Sequence, residues 1–343
     1  MIVLGIETSC DDSAVALVTA DKQILSHQKY TQLSQHNAFG GVVPEVAARE
    51  HLKILPHLIE KCFEESQLTY EDLSGIAVTT GPGLIGGLMV GVMIAKALAL
   101  VHQKPFLSVN HLAGHALVPR LTESLEFPYL LMLATGGHCQ LLLVKSPVDF
   151  EMIGTTMDDA VGECFDKVAK ILGIPMPGGP NLEAMAQNGN PKAIDFPAPM
   201  LGRNHGSEAF QFSFSGLKTA VRTYCLKQPN LTENHKADIC ASFQEAVRKS
   251  LISRIKNYME SHAFTAYKPT AFVLSGGVAA NLYLRESLRN LTTKYKLQFI
   301  APPIEYCTDN GVMIAWAGIE KLRLGLVDDL SAKPRPRWPL TEK

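Results

Sequence analysis

Twice in this chain an apolar run, a short polar turn and a second apolar run follow one another directly. Ile2 to Ile6, Glu7-Thr-Ser-Cys-Asp-Asp12 and Ala14 to Val18 form the first set, and Tyr129 to Ala134, Thr135-Gly-Gly-His-Cys139 and Gln140 to Val144 the second. Each predicts a β-hairpin whose tip carries polar side chains, Asp11 and Asp12 in one and His138 in the other. Two hairpins of one design suggest a duplicated α/β unit, although a large α/β protein can also contain several unrelated hairpins. At 343 residues, 46% of them hydrophobic and 19% charged, the chain is larger than one core usually serves, which predicts two compact lobes.

Between the hairpins, Pro44 suits a first helical position, and Ala47, Ile54, Leu58 and Cys62 predict a helix from about Glu45 to Glu64. The short strand Ile76 to Thr80 then meets Gly81-Pro-Gly83-Leu-Ile-Gly86, a formal dinucleotide turn. No Asp or Glu occurs from Leu73 to Thr122, so the acid that would hold a ribose is missing and a dinucleotide role is disfavoured. Leu84 to Val101 is apolar apart from Lys96; that lysine, and the strand and turn before it, favour a buried helix packed on more than one side over a membrane span.

Further on, Thr156-Met-Asp158-Asp159 is expected to cap a helix with Val161, Phe165, Val168 and Leu172 on its apolar face, and Pro177-Gly-Gly-Pro180 to form a tight turn. Asn188 to Ala209 reads as a long surface excursion, and Asn234 to Ser261 as helical. Thr270 to Leu274 is a strand ending at Ser275-Gly276-Gly277, which is expected to open a helix and offer a phosphate seat, although no Walker lysine follows. A strand from Leu297 to Ala301 precedes a final helix from about Val312, and the tail Lys333-Pro-Arg-Pro-Arg-Trp-Pro339 reads as an extended strap on the surface.

Seven scattered cysteines with no Cys-x-x-Cys predict reduced thiols and a cytoplasmic location, and Met1 to Glu7 lacks the basic region of a signal peptide. A net charge of -1 gives no bulk attraction to nucleic acid, so RNA binding would need a local basic patch or a partner.

His111-Leu-Ala-Gly-His115 places two imidazoles one helical turn apart, the spacing at which both can reach one metal ion. A third ligand is wanted, and Asp309, at a strand-to-helix junction, is the best candidate. Two histidines and a carboxylate with open positions suit iron(II) or zinc. His138 is not counted as a ligand. Leu112 stands where a zinc peptidase of the H-E-x-x-H type has its glutamate, so the metallopeptidase alternative lacks its general base. A kinase or ATPase would use the glycine turns but leave the His pair idle.

Gly5-Ile-Glu-Thr-Ser-Cys-Asp-Asp12, Gly40-Gly-Val-Val-Pro-Glu45, Thr80-Gly-Pro-Gly83, His111 to His115, Asp158-Asp159, Phe165-Asp-Lys167, Pro177 to Pro180, Ser275 to Asn281 and Tyr306-Cys-Thr-Asp-Asn310 together resemble the bacterial tRNA N6-adenosine threonylcarbamoyltransferase family, in order and over essentially the whole chain. The resemblance implies a two-lobed actin/Hsp70-like α/β fold with a duplicated core, expected as residues 1–108 with about 318–343 in one lobe and 109–317, with an insertion near 188–210, in the other. It implies transfer of a threonylcarbamoyl group from threonylcarbamoyl-AMP to N6 of the adenosine 3′ of the anticodon in tRNAs reading codons that begin with A. It puts one divalent metal, iron(II) favoured, on His111, His115 and Asp309, substrate contacts on Ala134, Thr135, Gly136, Gly137, His138, Asp166, Gly179 and Asn281, and a catalytic acid or base on Asp11. Implied partners are tRNA, a catalytically silent paralogue and a small ATPase, with no membrane. Ala134-Thr135 stands where many members have Val-Ser, and Gly311 where Ala is common; neither change removes a functional group the chemistry needs.

Overall fold

The computed structural model describes all residues except 38, 40, 203–205, 229 and 343; Gly40, quoted in one motif above, therefore lies outside the described residues. From the N-terminus the chain forms β1 (Ile2–Glu7), β2 (Asp12–Thr19), β3 (Ile24–Thr31), α1 (Leu33–Asn37), α2 (Pro44–Ser66), β4 (Gly75–Gly81), α3 (Ile85–Val101), β5 (Phe106–Asn110) and α4 (His111–Thr122). It continues through β6 (Tyr129–Ala134), β7 (Cys139–Ser146), β8 (Asp149–Thr155), α5 (Val161–Ile171), α6 (Gly178–Ala186), α7 (Ser215–Leu226) and α8 (Glu233–Met259). The last elements are α9 (His262–Tyr267), β9 (Ala271–Ser275), α10 (Leu282–Lys294), β10 (Gln298–Ile300) and α11 (Gly311–Arg323).

These elements divide into two compact units, Met1–Ser124 with Ser146–Asp149 and Thr308–Lys343, and Leu125–Lys145 with Phe150–Cys307. Each contains one five-stranded sheet, ordered β3-β2-β1-β4-β5 in the first and β8-β7-β6-β9-β10 in the second. In both, the first strand of the hairpin pairs antiparallel with the next and parallel with the fourth, which pairs parallel with the fifth. The two hairpins are thus the matching openings of a repeated topology. β4, β5, β6 and β9 are buried along their whole length, as parallel or central strands covered on both faces are, and so read as continuous apolar runs. β3 and β8 are only partly buried, and their weaker patterns were not legible as strands.

The first unit closes around α11, in which every residue from Gly311 to Glu320 is buried. β1 and α11 meet so closely that a methyl group on Gly5 would lie 2.3 Å from both Ala315 N and Gly311 O. Gly5→Ala is therefore expected to destabilise the protein by at least the roughly 1–3 kcal/mol typical of overpacking; an unchanged thermal midpoint would mean the contact is softer than its geometry.

Several expected boundaries shift. α4 and the start of α11, at 109–124 and 308–317, fall in the first unit, because α11 packs on β1, β2, β4 and α4. The buried face of α2 is Ala47, His51, Leu55, Ile59 and Cys62, a register in which Ile54 and Leu58 are only partly covered. α3 is not buried all round: Gly87, Leu88, Gly91, Val92, Ala95 and Ala99 face inward, while Met93 and Leu100 are 62% and 67% exposed. Residues 177–180 are the start of α6 rather than a free turn. No helix among the described residues is long and apolar enough to cross a membrane. The tail does strap the first unit: Arg335 N donates to Thr80 O at 2.6 Å, and Asn110 Nδ2 to Trp338 O at 3.1 Å.

Candidate metal centre and substrate turns

α4 begins directly where β5 ends because Asn110 caps it, its Oδ1 accepting from Leu112 N at 2.9 Å. His111 is thus the first helical residue, and His115 follows one turn later with the ring centroids 4.9 Å apart. Asp309 comes from the loop before α11. Lys29 on β3 holds that loop, donating to Asp309 O at 2.8 Å and Thr308 Oγ1 at 3.1 Å, and Asn310 caps the helix through Met313 N at 2.8 Å.

Asp309 Oδ1 lies 3.1 Å from His115 Nε2 and 3.5 Å from His111 Nε2, and the three ligand atoms are all within 4.8 Å of one another. Burial lowers the pKa of His111, but the Glu7 and Asp309 carboxylates more than offset this and raise it to about 9. Burial would raise Asp309 and Glu7, yet the imidazoles hold both below the ordinary carboxylate range. His115, where burial dominates, is pushed down. With neutral imidazoles the cluster presents two nitrogen donors, one oxygen donor and two negative charges in a buried site, a donor set that fits a divalent cation such as iron(II) or zinc.

Glu7 is the residue that sequence reasoning missed. It ends an otherwise apolar strand, and that lone acid was the available signal. Asp11 lies beyond it in the β1–β2 turn. Its carbonyl accepts from Gln32 N at 3.1 Å, and the preceding Cys10 carbonyl is 3.0 Å from His51 Nε2 of α2. Beneath this turn, the Gly81-Pro-Gly83 segment is filled by the chain itself. Gly81, at φ +153, would place a methyl group 1.9 Å from Arg335 O, so the formal dinucleotide motif is a packing device.

In the second unit, the turn from Thr135 to His138 is closed by Thr135 N donating to His138 O at 2.8 Å and His138 N to Thr135 Oγ1 at 3.0 Å. Gly276 packs against Ala134 and Thr135, so two of the expected glycine turns are neighbours, and Gly136, Gly137 and Gly277 face open space. Asp166 accepts from the backbone N–H groups of Gly178 and Gly179 at the start of α6, though burial still raises its pKa.

Asn281 caps α10 through Leu284 N at 2.9 Å and donates to Gln244 Oε1 at 2.8 Å. The expected phosphate seat changes in detail. Gly277–Ala280 is a single 3₁₀ turn, and the N–H groups opening α10, Leu282 and Tyr283, are taken by Glu183 Oε1 at 2.7 and 3.4 Å. Glu183 and Gln244 also line a pocket there with Leu282 and Tyr283. Asp158 does not cap α5, whose start has no side-chain cap; it accepts from Phe214 N at 2.8 Å and Ser215 Oγ at 2.7 Å at the start of α7.

The chain matches the family model described as "TsaD: tRNA N6-adenosine threonylcarbamoyltransferase" over residues 23–316. It is 51% identical to the tRNA N6-adenosine threonylcarbamoyltransferase of Methylorubrum populi, covering 100% of this chain and 99% of that protein. It is 50% identical to the protein of the same name from Brucella anthropi, covering 100% and 96%. Among solved structures it resembles HypF of T. kodakarensis, with a TM-score of 0.61 at 15% identity over 94% of this chain and 48% of that one. It also resembles component A of the (R)-2-hydroxyglutaryl-CoA dehydratase of Acidaminococcus fermentans, with a TM-score of 0.56 at 15% identity over 94% and 99%. These structures are actin-like, and the likeness establishes the actin/Hsp70-like α/β fold with its repeated sheet.

Proposed function

Because the chain belongs to the tRNA N6-adenosine threonylcarbamoyltransferase family, we propose that it transfers the threonylcarbamoyl group of threonylcarbamoyl-AMP to N6 of the adenosine 3′ of the anticodon, in tRNAs reading codons that begin with A. It is a transferase acting on tRNA; the donor, the target base and the codon set are the proposal. The observation that carries it is identity near one half with curated transferases from end to end.

The residue roles are proposed in the same terms. His111, His115 and Asp309 would hold the divalent metal, iron(II) by preference, and the bound cation would supply positive charge to the donor's carbonyl or phosphate. The nucleophile is the amine of the RNA. Asp11 would accept its proton, since an exocyclic amine is too weak a base to attack unaided once its lone pair is engaged with the ring. The backbone of Ala134 to His138, with Asp166, Gly179 and Asn281, would bind the donor, its open glycines letting the phosphate approach main-chain N–H groups. The peptidase reading is not favoured, because the acid beside His111 is Glu7, fully buried and bonded to the ring nitrogen facing away from Asp309. The kinase reading gives the His-His-Asp cluster no task.

The test is to combine purified protein, cognate tRNA and threonylcarbamoyl-AMP, with and without cell extract, and to digest the tRNA for mass spectrometry. A threonylcarbamoylated adenosine is expected. Its absence in both arms, with intact donor and tRNA, would reject the reaction.

The proposed partners, a catalytically silent paralogue and a small ATPase, are supported by the outer face of α3. Ile85, Met89, Met93, Leu100 and Val101 are all exposed there, more apolar surface than a helix normally leaves in water. The exposed positions of α2 carry Glu45, Arg49, Lys53, Glu60 and Lys61 beside the apolar Leu52, so that helix presents mainly charge to solvent. Met93→Asp is expected to prevent co-purification with the paralogue while leaving the metal stoichiometric. Val90 would be a poor choice, because it packs on the core. Normal assembly of the Met93 variant would move the interface elsewhere. With all seven cysteines free, the reduced cytoplasm is the proposed location.

A further inference from the structure

We propose that Glu7 is a positioning residue for the metal centre, its carboxylate fixing the ring orientation and tautomer of His111 so that Nε2 is presented to the cation. The inference rests on the reading of His111, His115 and Asp309 as a metal set. Glu7 ends β1 at 0% exposure, and a carboxylate taken wholly out of water is tolerated only with close partners. Its Oε1 accepts from Ser9 N at 2.5 Å. Its Oε2 accepts from the Thr79 hydroxyl and lies 3.0 Å from His111 Nδ1, and Ser9 Oγ is 3.1 Å from that same nitrogen.

A carboxylate seated on Nδ1 favours the tautomer that carries its proton there, which leaves the Nε2 lone pair for a metal. Nε2 is the nitrogen that faces Asp309 Oδ1, at 3.5 Å. Carboxylate partners of this kind orient metal-bound histidines and raise their basicity, and their loss typically costs about 10–100-fold in affinity. Thr79, on the neighbouring strand β4, fixes the carboxylate in turn, so β4, β1 and α4 contribute one residue each to a relay that ends at the metal. Nothing else in β1 calls for an acid here: Val3, Leu4 and Ile6 are buried apolar residues.

The experiment measures zinc affinity by chelator competition, and the visible spectrum of the cobalt(II) form, in full-length wild-type protein, Glu7→Gln and Thr79→Val. Glu7→Gln keeps the shape of the side chain and removes its charge. Thr79→Val keeps the charge and frees the carboxylate to rotate. The expected result is a zinc Kd raised about 10–100-fold in Glu7→Gln and by a smaller factor in Thr79→Val, with displaced cobalt bands in both and wild-type far-UV circular dichroism. A Kd within about twofold of wild type, or unshifted cobalt bands, in the folded variants would overturn the proposal. Should Glu7→Gln fail to fold, Thr79→Val decides alone by the same criteria. A wild-type protein that takes up neither zinc nor cobalt would instead overturn the metal reading, and this proposal with it.

Discussion

Replacing His111 or His115 by Ala is expected to strip stoichiometric metal from the purified protein, and Asp309→Asn to leave it weakly bound. The three ligand atoms lie within 4.8 Å of one another and come from two elements, so removing either imidazole leaves one nitrogen and one oxygen, too few to hold a divalent ion against water. The loss should exceed the roughly 10–100-fold that removal of a residue behind a ligand brings, which ranks these variants below Glu7→Gln. The apo fold should survive in His115→Ala and Asp309→Asn, because α4 is capped by Asn110 and α11 by Asn310 independently of those side chains, whereas His111→Ala also takes the imidazole partner from the buried Glu7 carboxylate and is expected to lower stability as well. Elemental analysis is the check: metal content equal to wild type in all three variants would remove the assignment of the site.

Asp11→Asn is expected to bind donor with near-normal affinity and to lose about 10²–10⁴-fold in transfer rate, the usual worth of a positioned general base. The turn that carries Asp11 is held through its own carbonyls, Gln32 N donating to Asp11 O at 3.1 Å and the His51 imidazole lying 3.0 Å from the Cys10 carbonyl, so the amide should sit where the carboxylate does. Single-turnover kinetics at saturating donor, alongside a direct binding measurement, separate the two effects. Weakened donor binding with an unchanged rate at saturation would make Asp11 a binding residue instead.

Much of this protein was fixed locally. The apolar runs around Glu7 to Asp12 and around Thr135 to Cys139 specify two hairpins because a short apolar run and its turn chemistry act over a few residues, and both pair in register from end to end. The His111 to His115 spacing is likewise a property of one helix, and the end-to-end series of motifs was enough to point to the family. What the sequence left open depends on contacts between distant segments. The order of the two sheets shows the duplication to be real, because pairing with β4 and β9 is a choice among strands that no local pattern encodes.

α3 read as a buried helix packed on more than one side, since composition cannot tell an apolar face packed on a core from one left for a partner; only packing against its own unit separates Val92 from Met93. Asp158 lies next to α5 in sequence yet caps α7, because a carboxylate satisfies whichever N–H groups the tertiary structure brings to it. Glu7 is the sharpest case. Its partner His111 is 104 positions away, and the burial that seats a single acid at a strand end against that imidazole exists only once β1, β4 and α4 have packed together.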